Sequence, residues 1–126
     1  MKIIRSDHLK FIPASHEDKL HPGVLKKVLF KKGELIAGNI QMINWARLPQ
    51  GKIFNAHYHQ DMEEIFIIIT GAVEISIENE FDQLNPGDAV AIPIGSVHTM
   101  RNISKSDVTY IVIGISKSGK GKTINV

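Results

Sequence analysis

Two histidines one residue apart, His57 and His59, stand just before an isoleucine-rich run in the segment GKIFNAHYHQDMEEIFIIITG (51–71). Side chains at positions i and i+2 of a β-strand share a face, so a strand here directs both imidazoles to one side and Tyr58 to the other. Two imidazoles on one face can bind the same metal ion. Such pairs also occur by chance on solvated strands, so further ligands are needed to indicate a site.

Two more residues complete a set of candidate metal ligands. Glu64 begins the apolar segment that follows, and a turn through 60–63 brings it back beside the histidines. His98 comes just after a turn marked by Pro93 and Gly95. Three imidazole nitrogens and one carboxylate suit one borderline divalent transition metal ion per chain, such as Fe, Mn, Zn, Ni or Co, and leave positions open for water or substrate.

Composition excludes other kinds of chemistry. The chain has 126 residues, a net charge of +2 and no cysteine, so disulfides, thiolate ligands and a cysteine nucleophile are absent. A chain of this length, 1–126, is expected to form one domain that folds without a structural metal. No basic stripe with interleaved aromatic residues indicates nucleic-acid binding, and the apolar run 65–69 is too short to span a bilayer. We expect a cytoplasmic protein with a small-molecule ligand and without nucleic-acid or membrane partners.

Short β-branched segments separated by glycine and proline predict an all-β fold. The segments are GVLKKVLF (23–30), NIQMINWARL (39–48), EIFIIIT (64–70), AVEISIE (72–78), DAVAIP (88–93) and VTYIVIGIS (108–116). Their number and spacing are typical of an antiparallel sandwich or barrel. The N-terminal arm, 1–22, and the basic tail, 116–126, are expected to be peripheral, the tail as a solvated and frayed end.

The complete pattern resembles the cupin family. The first cupin motif matches Gly51, His57, His59, Glu64 and Gly71, and the second matches Gly87, Pro93, Gly95, His98 and Asn102, so the motifs cover 51–71 and 87–102. The resemblance implies an antiparallel jelly-roll barrel, or double-stranded β-helix, with a metal held inside by the three histidines and Glu64. It also implies a homodimer, in which GVLKKVLF is the candidate edge or exchanged strand because open sheet edges need cover.

Strand parity extends the predicted pocket beyond the ligands. Residues two positions from a ligand are expected to share its facing, which adds Ile53, Asn55, Phe66, Ile68, Met100 and Asn102. The facing of strand 39–48 stays open at this point. One face offers Gln41 and Arg47 for an anionic or carbonyl group, and the other face offers Asn44.

The remaining acids and histidines are assigned to the surface. Glu63 and Asp61 are expected to be solvated turn residues, because the cupin spacing selects Glu64 as the ligand. The histidines His8, His16 and His21 lie outside both motifs and are not expected to take part in function.

These observations favour a metal-dependent enzyme that acts on a small polar or carboxylate-bearing molecule. By resemblance, the reaction is of the dioxygenase, isomerase, decarboxylase or lyase type. The alternative is a non-catalytic cupin module that binds or senses a small ligand. The sequence does not indicate the substrate, the reaction or the identity of the metal.

Overall fold

Eleven β-strands and one short 3₁₀ turn, Ser6–His8, make up the secondary structure of the computed structural model, which describes all of residues 1–126. The strands are β1 (Ile12–Pro13), β2 (Leu25–Lys31), β3 (Ile40–Leu48), β4 (His57–His59), β5 (Met62–Thr70), β6 (Val73–Ile77), β7 (Glu80–Leu84), β8 (Ala89–Ile92), β9 (His98–Asn102), β10 (Val108–Ser116) and β11 (Thr123–Asn125). No helix has the length and apolar character needed to cross a membrane.

The strands form two antiparallel sheets. One sheet has the order β1-β2-β3-β10-β5-β8 and the other has the order β11-β4-β9-β6-β7. Six of the nine strand pairings join strands that are not consecutive in the chain, so most pairings depend on the tertiary fold. This arrangement confirms the predicted all-β jelly-roll barrel.

Alternation along the strands determines which side chains fill the barrel. In β10 every second residue from Val108 to Ser116 is buried, and the residues between them are half-buried on the outer face. The buried apolar side chains of both sheets then form one core. Its members are Ala14, Val24, Ala46, Leu48, Phe54, Phe66, Ile68, Val73, Ile75, Ile92, Met100, Val108, Tyr110 and Val112.

Each predicted β-segment contains a strand, and five further strands, β1, β4, β7, β9 and β11, lie outside those segments. Strand β7 is exposed over most of its length, so its sequence EFDQL carries no clear alternation. Strand β11 lies in the basic tail, and the expectation that the whole tail is frayed is wrong. Thr123 pairs with His59 in the ladder between β11 and β4, and the Val126 amide donates to the Ala56 carbonyl at 3.1 Å.

Glycine is required where the two cupin-type motifs reverse direction. Gly71 has φ of +82° between β5 and β6, and a Cβ atom there would lie 2.6 Å from Val108 Cγ2. A side chain at this position meets both a strained backbone and a steric clash. A tight turn is also present at Asn85–Asp88, where the Asp88 amide donates to the Asn85 carbonyl at 2.9 Å.

Strand β2 lies almost at the edge of its sheet. Its outer side pairs only with the two residues of β1, which face Leu25 and Lys26. The remaining residues, 27–31, have no strand beside them on that side. The predicted segment GVLKKVLF therefore does contain an open stretch of sheet edge.

Candidate metal centre

Strand β4 places two imidazoles inside the barrel. His57 and His59 are 1% and 5% exposed, whereas Tyr58 between them is half-buried on the opposite face. The strand is only three residues long, but it is held between β9 and β11. The facing predicted from the spacing of the two histidines is confirmed.

Two other strands supply the remaining members of the cluster. In β5 the buried positions include Glu64 and Phe66, and Glu63 is exposed. The same alternation that buries Phe66 therefore brings Glu64 into the barrel and turns Glu63 to solvent. His98 begins β9 and lies directly opposite His57 in the ladder between β4 and β9.

The four side chains meet at one point in the barrel. One donor atom from each of His57, His59, Glu64 and His98 lies within 4.8 Å of the donor atoms of the others. His59 Nε2 donates to Glu64 Oε1 at 2.7 Å, and His98 Nε2 lies 3.4 Å from the same oxygen. A buried group of this composition can hold a transition metal ion.

Oxygen atoms outside the cluster orient each imidazole through its Nδ1 atom. His57 Nδ1 donates to the Asn55 carbonyl at 2.6 Å, and His98 Nδ1 donates to the Ser96 carbonyl at 2.9 Å. His59 Nδ1 lies 3.0 Å from the Thr123 hydroxyl. With Nδ1 occupied, each ring has Nε2 left for the cluster, as is usual for metal-binding histidines.

One polar atom of the cluster lacks a partner within the protein. His98 Nε2 is buried and has no hydrogen bond, because its contact with Glu64 does not have hydrogen-bond geometry. Buried polar atoms normally find a partner, and a ring nitrogen without one that faces a carboxylate and two imidazoles is suited to bind a cation. The donor set and this atom both fit a metal ion.

Protonation in the cluster also favours a cation. Burial by itself raises the pKa of Glu64, but the contacts with His59 and His98 outweigh burial and lower the pKa to about 2. Burial lowers the pKa of His57 to about 4, against the opposing effect of its bond to the Asn55 carbonyl. At neutral pH Glu64 is therefore an anion and His57 is neutral, which are the forms that bind metals.

The sequence of this chain matches one known protein family. Residues 44–114, more than half of the chain, match the family described as the cupin domain. The chain belongs to the cupin family. The predicted resemblance, which rested on two short motifs, is thereby confirmed.

Two curated relatives and one solved structure are similar to this cupin. It is 36% identical over 64 residues to an uncharacterized protein of Aquifex aeolicus, which covers 51% of this chain and 53% of that relative's length. It is 29% identical over 109 residues to an uncharacterized protein of Methanocaldococcus jannaschii, which covers 82% of this chain and 78% of the relative. A predicted oxalate decarboxylase of Thermotoga maritima superposes with a TM-score of 0.79 at 21% identity, over 91% of this chain and 99% of the other. At that identity the structural likeness shows the fold alone.

A cavity of about 260 Å³ opens beside the cluster of this cupin. This volume is at the small end for ligand sites, which range from roughly 300 to 1,000 Å³. Apolar walls come from Phe54, Phe66 and Val112, among others, and Tyr110 adds a phenol. Burial raises the pKa of Tyr110 further above its usual value, so this side chain stays protonated.

The inner face of β3 carries Asn44, which answers the question that the sequence left open. Asn44 is 5% exposed and lines the cavity, and Gln41 also reaches the cavity near the start of the strand. Arg47 lies on the outer face, where its guanidinium lies 4.2 Å from the centre of the Phe11 ring and 3.9 Å from Asp107. Of the two alternatives, the one that placed Arg47 in the pocket is wrong.

Strand parity gives mixed results for the other predicted pocket residues. Phe66 lines the cavity as expected, but Ile68 and Met100 are fully buried in the core and do not line it. Asn102 is buried too, and its side chain bonds with Leu48, Ser104 and Ser106, so it holds a turn instead of supporting a ligand.

The side chain of Asn55 is exposed, which contradicts its predicted inward facing. Parity fails here because β4 begins only at His57, and the preceding residues follow an irregular path. Phe54 is buried in place of Ile53, which is 52% exposed. Asn55 still acts on the cluster, but it does so through its carbonyl bond with His57.

The N-terminal arm contributes a histidine that sequence reasoning dismissed. The His16 ring stacks on the His57 ring with centroids 3.9 Å apart and an angle of 16° between the planes. The adjacent Glu17 carboxylate is buried and accepts hydrogen bonds from the amides of Gly23 at 2.9 Å and Asn55 at 3.2 Å. The contact between His16 and His57 could not be predicted, because no sequence spacing relates the N-terminal arm to the two motifs. The other two histidines of the arm, His8 and His21, are exposed as expected.

The C-terminal strand contributes a second residue that was missed. Thr123 bonds with His59, and both Thr123 and Gly121 line the cavity. Thr123 and Ile124 are β-branched, which is a strand signal, but the lysines and glycines before them obscured it. Both chain ends therefore belong to the site and are not peripheral to it.

The stacked pair of histidines predicts a pH-dependent stability. Burial, followed by repulsion from His57, lowers the pKa of His16 to about 3, and the pKa of His57 is about 4. The unfolded chain, with histidine pKa values near 6.5, binds protons that the folded chain does not, so stability falls as the pH falls below 6.5. Each histidine adds a slope of about 1.4 kcal/mol per pH unit.

We expect His16→Phe, which keeps an aromatic ring against His57, to reduce this slope by roughly half between pH 6.5 and pH 4. Urea unfolding of chelator-treated protein at several pH values measures the effect. His21→Phe is the matched control, because the His21 side chain is 85% exposed. Equal slopes in the wild type and both variants would show that His16 titrates normally in the folded protein.

Proposed function

We propose that this cupin is a metal-dependent enzyme that acts on a small polar or carboxylate-bearing molecule. One divalent transition metal ion would be held by His57, His59, Glu64 and His98. The proposal covers the dioxygenase, isomerase, decarboxylase and lyase types of reaction. The relative of known fold from Thermotoga maritima is described as a predicted oxalate decarboxylase, and a small carboxylate substrate is consistent with the size of the cavity.

One observation carries the proposal. Three imidazoles are each held at Nδ1 by an outer oxygen, while their other nitrogens meet at a buried carboxylate. A cluster built only for packing does not need three separate hydrogen bonds to fix its ring orientations. Buried polar groups of this kind are costly unless they are paired, so the arrangement favours a bound cation.

A metal bound here would act as a Lewis acid on a carbonyl or carboxylate group, and Fe or Mn would also allow redox chemistry. The residues of the chain prepare the site for that role. Glu64 supplies one negative charge, which lowers the net charge of the centre. Phe54 and Phe66 shield the centre from bulk water, and this strengthens the electrostatic interactions inside the cavity. Tyr110 remains a protonated phenol, which can donate and accept a hydrogen bond.

A non-catalytic binding or sensing module is the alternative, and the protonation of the cavity favours it. A general acid or base works best with a pKa near the working pH. Burial moves the pKa of His16 down to about 3, and burial moves the pKa of Tyr110 upward, so neither group is suited to proton transfer at pH 7. An enzyme would then need the metal or the substrate itself to drive the reaction.

Removing single ligands tests the metal centre. We expect His57→Ala, His59→Ala and His98→Ala each to lose most of the metal, and Glu64→Ala to bind it more weakly, because one donor atom is removed in each case. Glu63→Ala is the matched control, since Glu63 is the exposed neighbour of Glu64 and should keep full occupancy. Elemental analysis of untagged protein measures the metal content.

Equal metal content in all five variants would place the metal elsewhere. Absence of metal from the wild type, even after reconstitution, would contradict the enzyme proposal and favour the binding module. Where metal is present, turnover of small carboxylates by loaded and by chelator-treated wild type separates the two functions. A loaded protein that binds carboxylates but converts none of them would support the module.

The bond between Thr123 and His59 makes a separate prediction. Thr123→Val keeps the β-branched shape but removes the hydroxyl that lies 3.0 Å from His59 Nδ1. Loss of such an outer contact typically lowers metal affinity by about 10 to 100-fold. Competition with a chromogenic chelator measures this affinity. Thr109→Val, which removes a hydroxyl from the outer face of β10, serves as control, and an equal affinity in both variants would contradict a role for Thr123.

A homodimer remains a prediction, and the open part of β2 supports it. Residues 27–31 offer unpaired main-chain groups that a second copy of this strand can cover. We expect size-exclusion chromatography with light scattering to give twice the mass of one chain. A monomer at micromolar concentration would contradict the prediction.

A further inference from the structure

A lysine without a hydrogen-bond or ion-pair partner in the protein lines the cavity. Lys26 belongs to β2 and lines the cavity together with Asn44 of the neighbouring strand β3. Burial lowers the pKa of Lys26, and the only charge that acts on it in the opposite direction is Glu64. No carboxylate or carbonyl oxygen of the protein bonds with this ammonium, so its hydrogen-bonding capacity is directed to the cavity.

The adjacent asparagine is also unsatisfied. Asn44 is 5% exposed, and its Oδ1 atom is buried without a hydrogen-bond partner. The Oδ1 atom is an acceptor and cannot bind a carboxylate, whose oxygens also only accept. The Nδ2 group of the same amide donates to no protein atom, so its two N–H bonds are the part of Asn44 that can bind an anion in the cavity.

Strand register places these two side chains next to each other. Lys26 pairs with Ala46 in the ladder between β2 and β3, and Asn44 lies two positions along β3 on the same buried face. Diagonal neighbours of this kind are within reach of each other's long side chains. Glu64 lies on β5, separated from β2 by β3 and β10, so Lys26 and Glu64 line the same cavity from strands that are not neighbours.

We infer that Lys26 and Asn44 form a carboxylate subsite, and that the ligand is a small carboxylate anion. One carboxylate group of the ligand binds Lys26 and Asn44, while the rest extends toward the cluster of His57, His59, Glu64 and His98. The binding of a carboxylate group is inferred from Lys26 and Asn44 alone. The orientation of the rest of the ligand toward the cluster rests on the proposed function. The small cavity limits the ligand to a short chain, such as a dicarboxylate of a few carbons.

A carboxylate fits this subsite better than a phosphate does. One ammonium and one amide match the two oxygens of a planar carboxylate. Phosphate sites usually offer more donors, as an arginine fork or as the main-chain amides at a helix start. No arginine and no helix lines this cavity.

Isothermal titration calorimetry with succinate as the probe tests the inference. We expect the wild type to bind succinate at millimolar concentration or below, and not to bind succinamide, its neutral counterpart. Lys26→Met should weaken succinate binding by about 10 to 100-fold, which corresponds to the loss of one charged hydrogen bond. Asn44→Leu should weaken it by about 3 to 10-fold, since a neutral hydrogen bond contributes less.

Lys27→Met is the matched control. Lys27 follows Lys26 on the same strand but faces outward, 4.7 Å from the centre of the Phe11 ring. This variant should bind succinate as the wild type does, and circular dichroism checks that all variants are folded. Inorganic phosphate is titrated in parallel, because it separates a carboxylate subsite from a general anion site.

Three results would overturn the inference: no binding of succinate by the wild type, equal binding by Lys26→Met and Lys27→Met, or tighter binding of phosphate than of succinate. Metal content, measured on the same samples, reports on the proposed function independently. Succinate binding that depends on Lys26 in a protein without metal would uphold the subsite and contradict the metal enzyme. Full metal content, together with succinate binding that Lys26→Met does not change, would contradict the subsite and leave the proposed metal enzyme intact.

Discussion

A buried carboxylate surrounded by imidazoles is the constraint on which this cupin depends. Removing an unpaired carboxylate from water costs several kcal/mol even after the protein relaxes, and Glu64 is 6% exposed. The cost is offset because His59 and His98 approach one of its oxygens to 2.7 and 3.4 Å. Strands β4, β5 and β9 must therefore stay within contact distance of one another. The order of the strands and the closure of the barrel achieve this.

Main-chain atoms do much of the positioning around this charge. The carbonyls of Asn55 and Ser96 orient His57 and His98, so at these two positions the path of the backbone matters more than the side chain. Glu17 also helps to position His57. Its carboxylate accepts a hydrogen bond from the Asn55 amide, and the Asn55 carbonyl accepts one from His57. A shift of the N-terminal arm at Glu17 can thus alter the orientation of His57 through Asn55.

The sequence predicted the parts of the site that follow local periodicity. His57 and His59 were grouped correctly because they lie two positions apart on one strand, whereas Glu64 was added through the predicted turn and the cupin motif. Parity failed at Asn55, since β4 does not extend that far. It could not find Thr123, whose contact with His59 joins residues 64 positions apart, because nothing in a local pattern encodes such a pairing. Arg47 was misplaced for a related reason, since periodicity separates two faces of a strand without showing which one is inside.

The two chain ends come together at the cluster, with His16 against His57 and Thr123 against His59. During synthesis β11 leaves the ribosome after strands β1 to β10, and long-range pairings of this kind form slowly. The imidazole of His59 therefore reaches its final orientation only after Thr123, 64 residues further along the chain, has been synthesised. Assembly of the centre is in this sense a late step of folding, because it waits for β11 to pair with β4.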